Sequence, residues 1–343
     1  MASKEANKIK FAGVDDGFFS IKVVDEEGNC TSIPSRAQHD VVFGEFGNDP
    51  DKSFIFETNG RKFTVDEGVP EPLDTRNLAQ LYPLSDLNRV LVHAGLLAAN
   101  FGGHDVQVTT GLPVRDYFLP STLKNEALIT QKVGNLEGEV RCGLNNELPV
   151  ANIVKSGVCS EGIAAFVDLI IGMDGQPTDD AERLKNGLTA IIDIGGHTTD
   201  VAVLLPKMKI SIKRSGSSSV GVLSLEDELQ RVLASQFNTN IGNITKRQIE
   251  MAIHQGKVII ARKEVDVSDI VTAQKAALFE RIVMAVNKTM GSDEDIENLI
   301  FVGGGAIVFE KQLTARYSQC LIPPQPEFAN ARGMMKLAKF IQQ

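Results

Sequence analysis

The chain has no apolar run approaching the roughly 18 residues that cross a bilayer, so a membrane-spanning helix is not expected. Its opening stretch, Met1 to Lys10, is polar and charged, with neither an apolar core nor a small-residue cleavage pattern; the expected location is the cytoplasm. Cysteine is scarce. Cys30, Cys142, Cys159 and Cys320 stand far apart, without the close pairing of a zinc site or redox motif, and read as packing residues kept as thiols. Positive charge is in deficit: 35 Lys and Arg against 44 Asp and Glu leave a formal net charge of -9, which repels nucleic acid over most of the surface and argues against direct DNA contact. Two common nucleotide signatures are also missing, since no Gly-Lys-Ser/Thr follows a glycine cluster and no Gly-x-Gly-x-x-Gly follows a first strand.

What remains is a 343-residue chain, 43% apolar and 23% charged, with enough sequence for two or three compact units. Residues 10–25 read as a strand, a tight Asp-Asp-Gly turn and a second strand, because Phe11, Val14, Ile21, Val23 and Val24 flank a polar, glycine-containing break. Between Val42 and Pro72 short aromatic strands alternate with turn formers, and the run from Ser53 to Val65 reads as a second hairpin in an inserted subdomain. Leu87, Val90, Leu91, Ala94, Leu97 and Ala98 have helical spacing and lead through Gly102 and Gly103 to a strand over 105–109. The apolar segment Gly157 to Met173 predicts a buried helix at the crossing between halves, followed by a linker over 174–180.

The second half restarts with strands over 188–192 and 201–205 about the turn Asp193 to Asp200. Asp15 and Asp193 thus open two similar strand-turn-strand units, 178 positions apart, which suggests two related α/β halves facing one cleft. Helices are predicted over 224–236, 245–254 and 271–290, before a strand and turn from Asn298 to Ala306.

Three glycine-containing turns carry candidate chemistry. In the first, Asp15-Asp16-Gly17-Phe18-Phe19-Ser20, glycine lets the backbone approach an anion, and an Asp at a strand end can hold Mg2+ through water. Lys22, on the returning strand, can neutralise a β- or γ-phosphate. The second, Asp193-Ile-Gly195-Gly196-His197-Thr198-Thr199-Asp200, pairs glycines and hydroxyls that can bind a phosphate chain with an Asp that complements Asp15. His197 receives no catalytic role and reads as a surface or phosphate-edge histidine. The third, Gly303-Gly304-Gly305-Ala306, follows a strand, opens a helix and permits close approach to a nucleoside. Lys246 and Glu250 stand at i, i+4 on one helix, placed either to frame a base and ribose or to form a solvent-facing ion pair.

In their order, these turns resemble the actin, heat-shock chaperone and sugar kinase superfamily, and within it the ParM (StbA) plasmid-segregation family. The resemblance rests on Asp15-Asp16-Gly17 with Ile21-Lys22, Thr110 to Pro113 with Asp116-Tyr117, Ile192 to Asp200, Gly216 to Val222 including Gly221, Gly303 to Ala306, and Asn330-Ala-Arg-Gly333. It implies an actin-like two-domain α/β fold, with duplicated ribonuclease-H-like halves around a nucleotide cleft. Domain I would span 1–170, with an insert at about 35–75 and completion by 325–343; domain II would span 171–324. It further implies an ATPase, or GTPase, in which Asp15 and Asp193 place Mg2+ through water and Glu161 polarises the attacking water. Subunits of such a protein would assemble head to tail into filaments that segregate plasmid DNA through a DNA-bound adaptor protein. The chain departs from the family at Phe18 and Phe19, where hydroxyl residues are usual, and around Glu161, which lacks the usual preceding proline. The competing readings are a small-molecule kinase, which would need an Asp base near an acceptor hydroxyl, a chaperone-like switch, and a scaffold with a membrane-tethering tail at Met334 to Gln343.

Overall fold

The computed structural model describes residues 8–40, 54–69, 72–121, 123–143 and 148–342; the opening stretch through Asn7, the segment Val42 to Ser53 and terminal Gln343 lie outside them. β-branched and aromatic residues build β1 (Lys10–Asp16), β2 (Ser20–Asp25) and β3 (Cys30–Pro34), then the short β4 (Ala37–His39), β5 (Phe54–Thr58) and β6 (Arg61–Val65). Helix α1 (Asp86–Ala98) starts where the Ser85 hydroxyl accepts the Asn88 N–H. There follow β7 (Asp105–Leu112), α2 (Glu126–Leu136), β8 (Arg141–Cys142) and β9 (Asn152–Ser160). The first sheet has the order β3-β2-β1-β7-β9, with β1, β7 and β9 parallel and β1 and β2 a hairpin. The predicted second hairpin forms as β5 and β6, in a separate sheet of order β4-β6-β5-β8.

After helix α3 (Ile163–Ile170) the pattern repeats. Strands β10 (Thr189–Ile194) and β11 (Thr199–Leu205) form a hairpin, extended by β12 (Lys209–Ile210) and β13 (Gly216–Ser218). Helices α4 (Ser224–Gln236) and α5 (Lys246–Gln255) precede a small hairpin of β14 (Lys257–Ile260) and β15 (Lys263–Asp266). The long α6 (Ser268–Met290), β16 (Asn298–Val302), α7 (Gly304–Val308) and the closing helix α8 (Ala329–Lys336) complete the chain. Strand β16 runs parallel to β10, as β7 does to β1, so each half has a hairpin beside a parallel crossover strand. Apolar clusters cover the sheets: Leu229, Leu233, Leu278 and Ile282 pack on one face of the second, Ala165, Phe166 and Ala329 on its other face, and Val90, Leu91 and Ala94 on the first.

The segment 157–173 is not one helix. Gly157 to Ser160 continue β9 beside Thr109 to Leu112, and only Ile163–Ile170 is helical. A short apolar run buried by strand pairing cannot be told from a buried helix by periodicity. No helix among the described residues is long and apolar enough to cross a membrane.

Helix α8 is wedged between the two halves of this plan. A Cβ at Gly333 would strike the Ala164 carbonyl of α3, and a Cβ at Gly13 of β1 would strike the α8 backbone at Ala331 and Met335. The crossing is held by a buried charge cluster: Asp168 of α3 accepts from Lys336 Nζ at 2.7 Å and from Arg332 Nε at 3.0 Å. Glycine is required where backbones meet so closely, so Gly333→Ala is expected to lower the unfolding free energy by about 1–3 kcal/mol. Gly134→Ala, in the α2 interior with open space at its Cβ position, should raise it by about 0.5–1 kcal/mol. Urea melts with unchanged m-values check both; a Gly333 variant as stable as the native chain would overturn the close-approach argument.

Candidate functional site

The register of the first hairpin sets Asp15 opposite Lys22, and Lys22 Nζ donates to Asp15 Oδ2 at 3.0 Å. Successive side chains of a strand point to opposite faces, so Asp16 goes elsewhere. Its carboxylate accepts from Asn88 Nδ2 at 2.6 Å and from Lys132 Nζ at 2.8 and 3.0 Å. Lys132 is 1% exposed and also donates to the Gly111 carbonyl. Asp16 therefore borders the cleft with its carboxylate engaged by the protein's own donors, fastening β1 to α1 and α2. At the tip, Ser35 Oγ donates to the Gly17 carbonyl at 2.7 Å, and Ser20 is buried. Phe18 packs against Tyr82, ring centroids 5.0 Å apart, and meets His197 edge-on at 5.6 Å. Phe19 is 54% exposed and lies against Gly196, where a Cβ would come 3.0 Å from its own. The two turns thus touch through the aromatics of the first.

In the second hairpin Asp193 stands opposite Asp200, and Gly195 N–H donates to the Thr198 carbonyl at 2.9 Å to close the turn. Asp200 accepts from Thr198 Oγ1 at 2.6 Å and from Ser217 Oγ. Thr199 points away from the cleft and donates to the Val220 carbonyl at 2.7 Å. Gly221 backs the turn, where a Cβ would meet the Gly196 and His197 backbone. Asp193 Oδ2 accepts from Asn330 Nδ2 at 2.6 Å. In the glycine cluster Gly303 has φ +83, and a Cβ there would strike the Asp193 carboxylate; Gly305 lies against Ile194, Gly304 faces open space and Ala306 belongs to the core.

These turns enclose a cavity of about 700 Å³. Asp15, Asp16, Gly17, Phe18, Phe19, Ser20, Lys22, Gly195, Gly196, His197, Thr198, Gly304 and Gly305 line it, together with Glu161 and Asp193. Glu161 occupies the turn between β9 and α3; its N–H donates to the Leu112 carbonyl at 2.9 Å, and its side chain lies against Gly111. The far wall is apolar at Ile253, Ile307 and Val308 and polar at Glu226, Glu250, His254 and Lys275. Lys246, one turn before Glu250, is exposed and lies outside this wall, as do Thr199, Gly221, Gly303 and Ala306, which support it from behind. Sequence reasoning assigned no role to Asp200, Lys132, Asn330, His254 or Lys275. His254 carried a signal, being at i, i+4 from Glu250; Asp200 closed the second-turn motif and Asn330 stood in a family motif, while Lys132 and Lys275 carried none.

Electrostatically the cleft is overloaded with carboxylates. Burial and then the charge of Asp15 raise Asp193 to about 7. Burial, then Asp15, Asp200 and Asp193, hold Glu161 well above the ordinary carboxyl range, against the pull of Lys132. Burial also raises Asp200, opposed by its bonds from Ser217 and Thr198. Burial works against the Lys22 ammonium, yet Asp15 and Asp193 outweigh it and leave Lys22 above the usual lysine value. Asp193 ionises near 3.8 when unfolded and near 7 when folded, so its contribution to stability is present below 3.8 and lost as pH rises through 7. In the nucleotide-free protein Asp193→Asn should therefore raise Tm at pH 8 by roughly 2–4 °C, with the gain gone by pH 4; a loss of stability at pH 8 would contradict this account.

With this geometry in view, two domain families match the chain: the N-terminal domain of actin-like proteins over residues 13–141, and the C-terminal domain of archaeal MreB-like actin homologues over 191–315. No curated protein sequence matches it. Among solved structures it is similar to Ta0583, an archaeal actin homologue, at 20% identity over 96% of this chain and 98% of that one, TM-score 0.73; a complex of that protein with ADP matches at 0.72. A ParM from Clostridium botulinum, solved as a 15-stranded filament, matches at 17% identity over 97% and 99% of the two chains, TM-score 0.73. The actin-like protein Alp7A matches at 15% identity over 95% of each, TM-score 0.71. Two actin-like domain families in their proper order, on a backbone that follows these structures almost end to end, make this chain a protein of the actin-like fold.

Proposed function

We propose that the chain is an ATP-dependent, ParM-like filament protein that hydrolyses the β–γ phosphoanhydride and segregates plasmid DNA between adaptor-bound copies. The observation that carries this reading is the convergence of both Asp-Gly turns, Lys22 and Glu161 on one cleft. The two turns and Lys22 hold the phosphate chain, while Ile253, Ile307 and Val308 sandwich the base beside Glu250, His254 and Lys275. The carboxylates of Asp15 and Asp193 are hard oxygen donors whose mutual repulsion a divalent cation would relieve, so the residues fit Mg2+ held through water. When bound, that ion neutralises phosphate charge. Glu161 takes the proton from a water whose oxygen attacks the γ-phosphorus; the bridging bond to the β-phosphate breaks, leaving ADP and phosphate.

Nucleotide bridging the two turns holds the halves together, and its cleavage loosens that grip, which links assembly to hydrolysis. Assembly is head to tail, because a heterologous contact that does not close produces a filament. DNA is reached through an adaptor protein, in keeping with the net charge of -9. Purified protein with Mg2+ should show a nucleotide-triggered rise in right-angle light scattering, a high-speed pellet, and a decay that follows phosphate release. In Glu161→Ala the rate of phosphate release should fall by a factor of about 100 or more while the scattering persists. Nucleotide binding without any scattering rise, for ATP, GTP or a non-hydrolysable analogue, would defeat the filament reading in favour of a monomeric switch or kinase.

A further inference from the structure

The geometry points to Asn330 as a positioning residue that keeps Glu161 and Asp193 in register across the cleft, an inference that rests on the nucleotide reading above. Asn330 is 4% exposed and sits in the first turn of α8. The two ends of its amide do different things. Nδ2 donates to Asp193 Oδ2 at 2.6 Å, and Oδ1 accepts the Gly162 N–H at 3.0 Å. Gly162 directly follows Glu161 and turns the chain sharply at φ +72, where a Cβ would come 2.9 Å from that of Ala202 on β11. One short planar group thus joins the turn that carries the proposed base to the carboxylate of the second phosphate turn.

The helix beneath Asn330 has little freedom to slide. Gly333, one turn further on, rests on the Ala164 carbonyl, three residues beyond Glu161. On another side, Ala331 and Met335 press on Gly13, two residues before Asp15. Asp15 and Glu161 are therefore indexed to α8 by backbone contact, and Asp193 is indexed to the same helix by the Asn330 amide. A side chain with a donor and an acceptor is needed: Asp at this position keeps the acceptor for Gly162 but sets charge against charge at Asp193, and an apolar residue supplies neither. Any rotation of α8 against the second sheet would strain the Asn330 bonds to Asp193 and to the Glu161 turn at once.

The test compares Asn330→Ala and Asn330→Asp with the native chain, using titration of a fluorescent ATP analogue with Mg2+ or with EDTA, beside steady-state hydrolysis. The Mg2+-dependent gain in affinity and kcat should each fall roughly tenfold or more in both variants, with KM for the Mg2+ complex rising in step with the lost gain, while affinity in EDTA stays within about twofold. Diffuse structural damage would lower both affinities alike and would overturn the assignment. So would a folded variant that keeps both the Mg2+ gain and kcat, or the failure of both variants to fold, since Asn330 would then serve folding alone. If only Asn330→Ala fails to fold, Asn330→Asp decides. A native chain without any Mg2+ gain would bring down the nucleotide reading itself, and this inference with it.

Discussion

Like charges buried side by side repel, and the cleft of this protein is built around that cost. Asp15, Glu161, Asp193 and Asp200 face one cleft, and burial together with neighbouring carboxylates pushes three of them upward in pKa. The surrounding structure reads as compensation. Lys22 pairs with Asp15 across the first hairpin, Ser217 and Thr198 donate to Asp200, and Asn330 donates to Asp193. Lys132 offsets part of the negative field at Glu161 while neutralising Asp16 behind the first turn. What these groups leave uncompensated is the attraction of the site for cations and for ligands that bring them.

That compensation explains why the two hairpins are nearly equivalent in strand order and unlike in detail. Each sets an Asp opposite a polar partner, Lys22 in the first and Asp200 in the second. The first turn closes with bulky aromatics and the second with glycines, so that Phe18 and Phe19 reach across to His197 and Gly196. A hydroxyl at either position would give the turn a side-chain donor; Phe18 and Phe19 give it apolar contact instead, leaving backbone N–H groups and Lys22 as the donors available on the first hairpin.

Much of this was legible in the sequence wherever the signal is local. A glycine after an Asp at a strand end marks both turns, and helical spacing gave the helix over 224–236 with its observed limits. Apolar runs were ambiguous: Gly157 to Ser160 are buried by pairing with β7 as a strand, a long-range fact that composition does not carry. The i, i+4 spacing of Lys246 and Glu250 was real, yet the face of α5 that meets the cavity runs through Glu250, Ile253 and His254 instead. Lys132 and Asn330 gave no local sign at all, since each acts on a residue more than a hundred positions away. Asn330 had entered only as part of a family motif, without a role.

The packing of Phe18 on Tyr82 has an optical consequence. The chain contains no tryptophan and three tyrosines, and Tyr82 is a buried ring touching the tip of the first turn. Nearly all ultraviolet emission of the protein therefore comes from three phenols, one of them set where the cleft closes. The protein carries an unlabelled spectroscopic reporter beside its own candidate site.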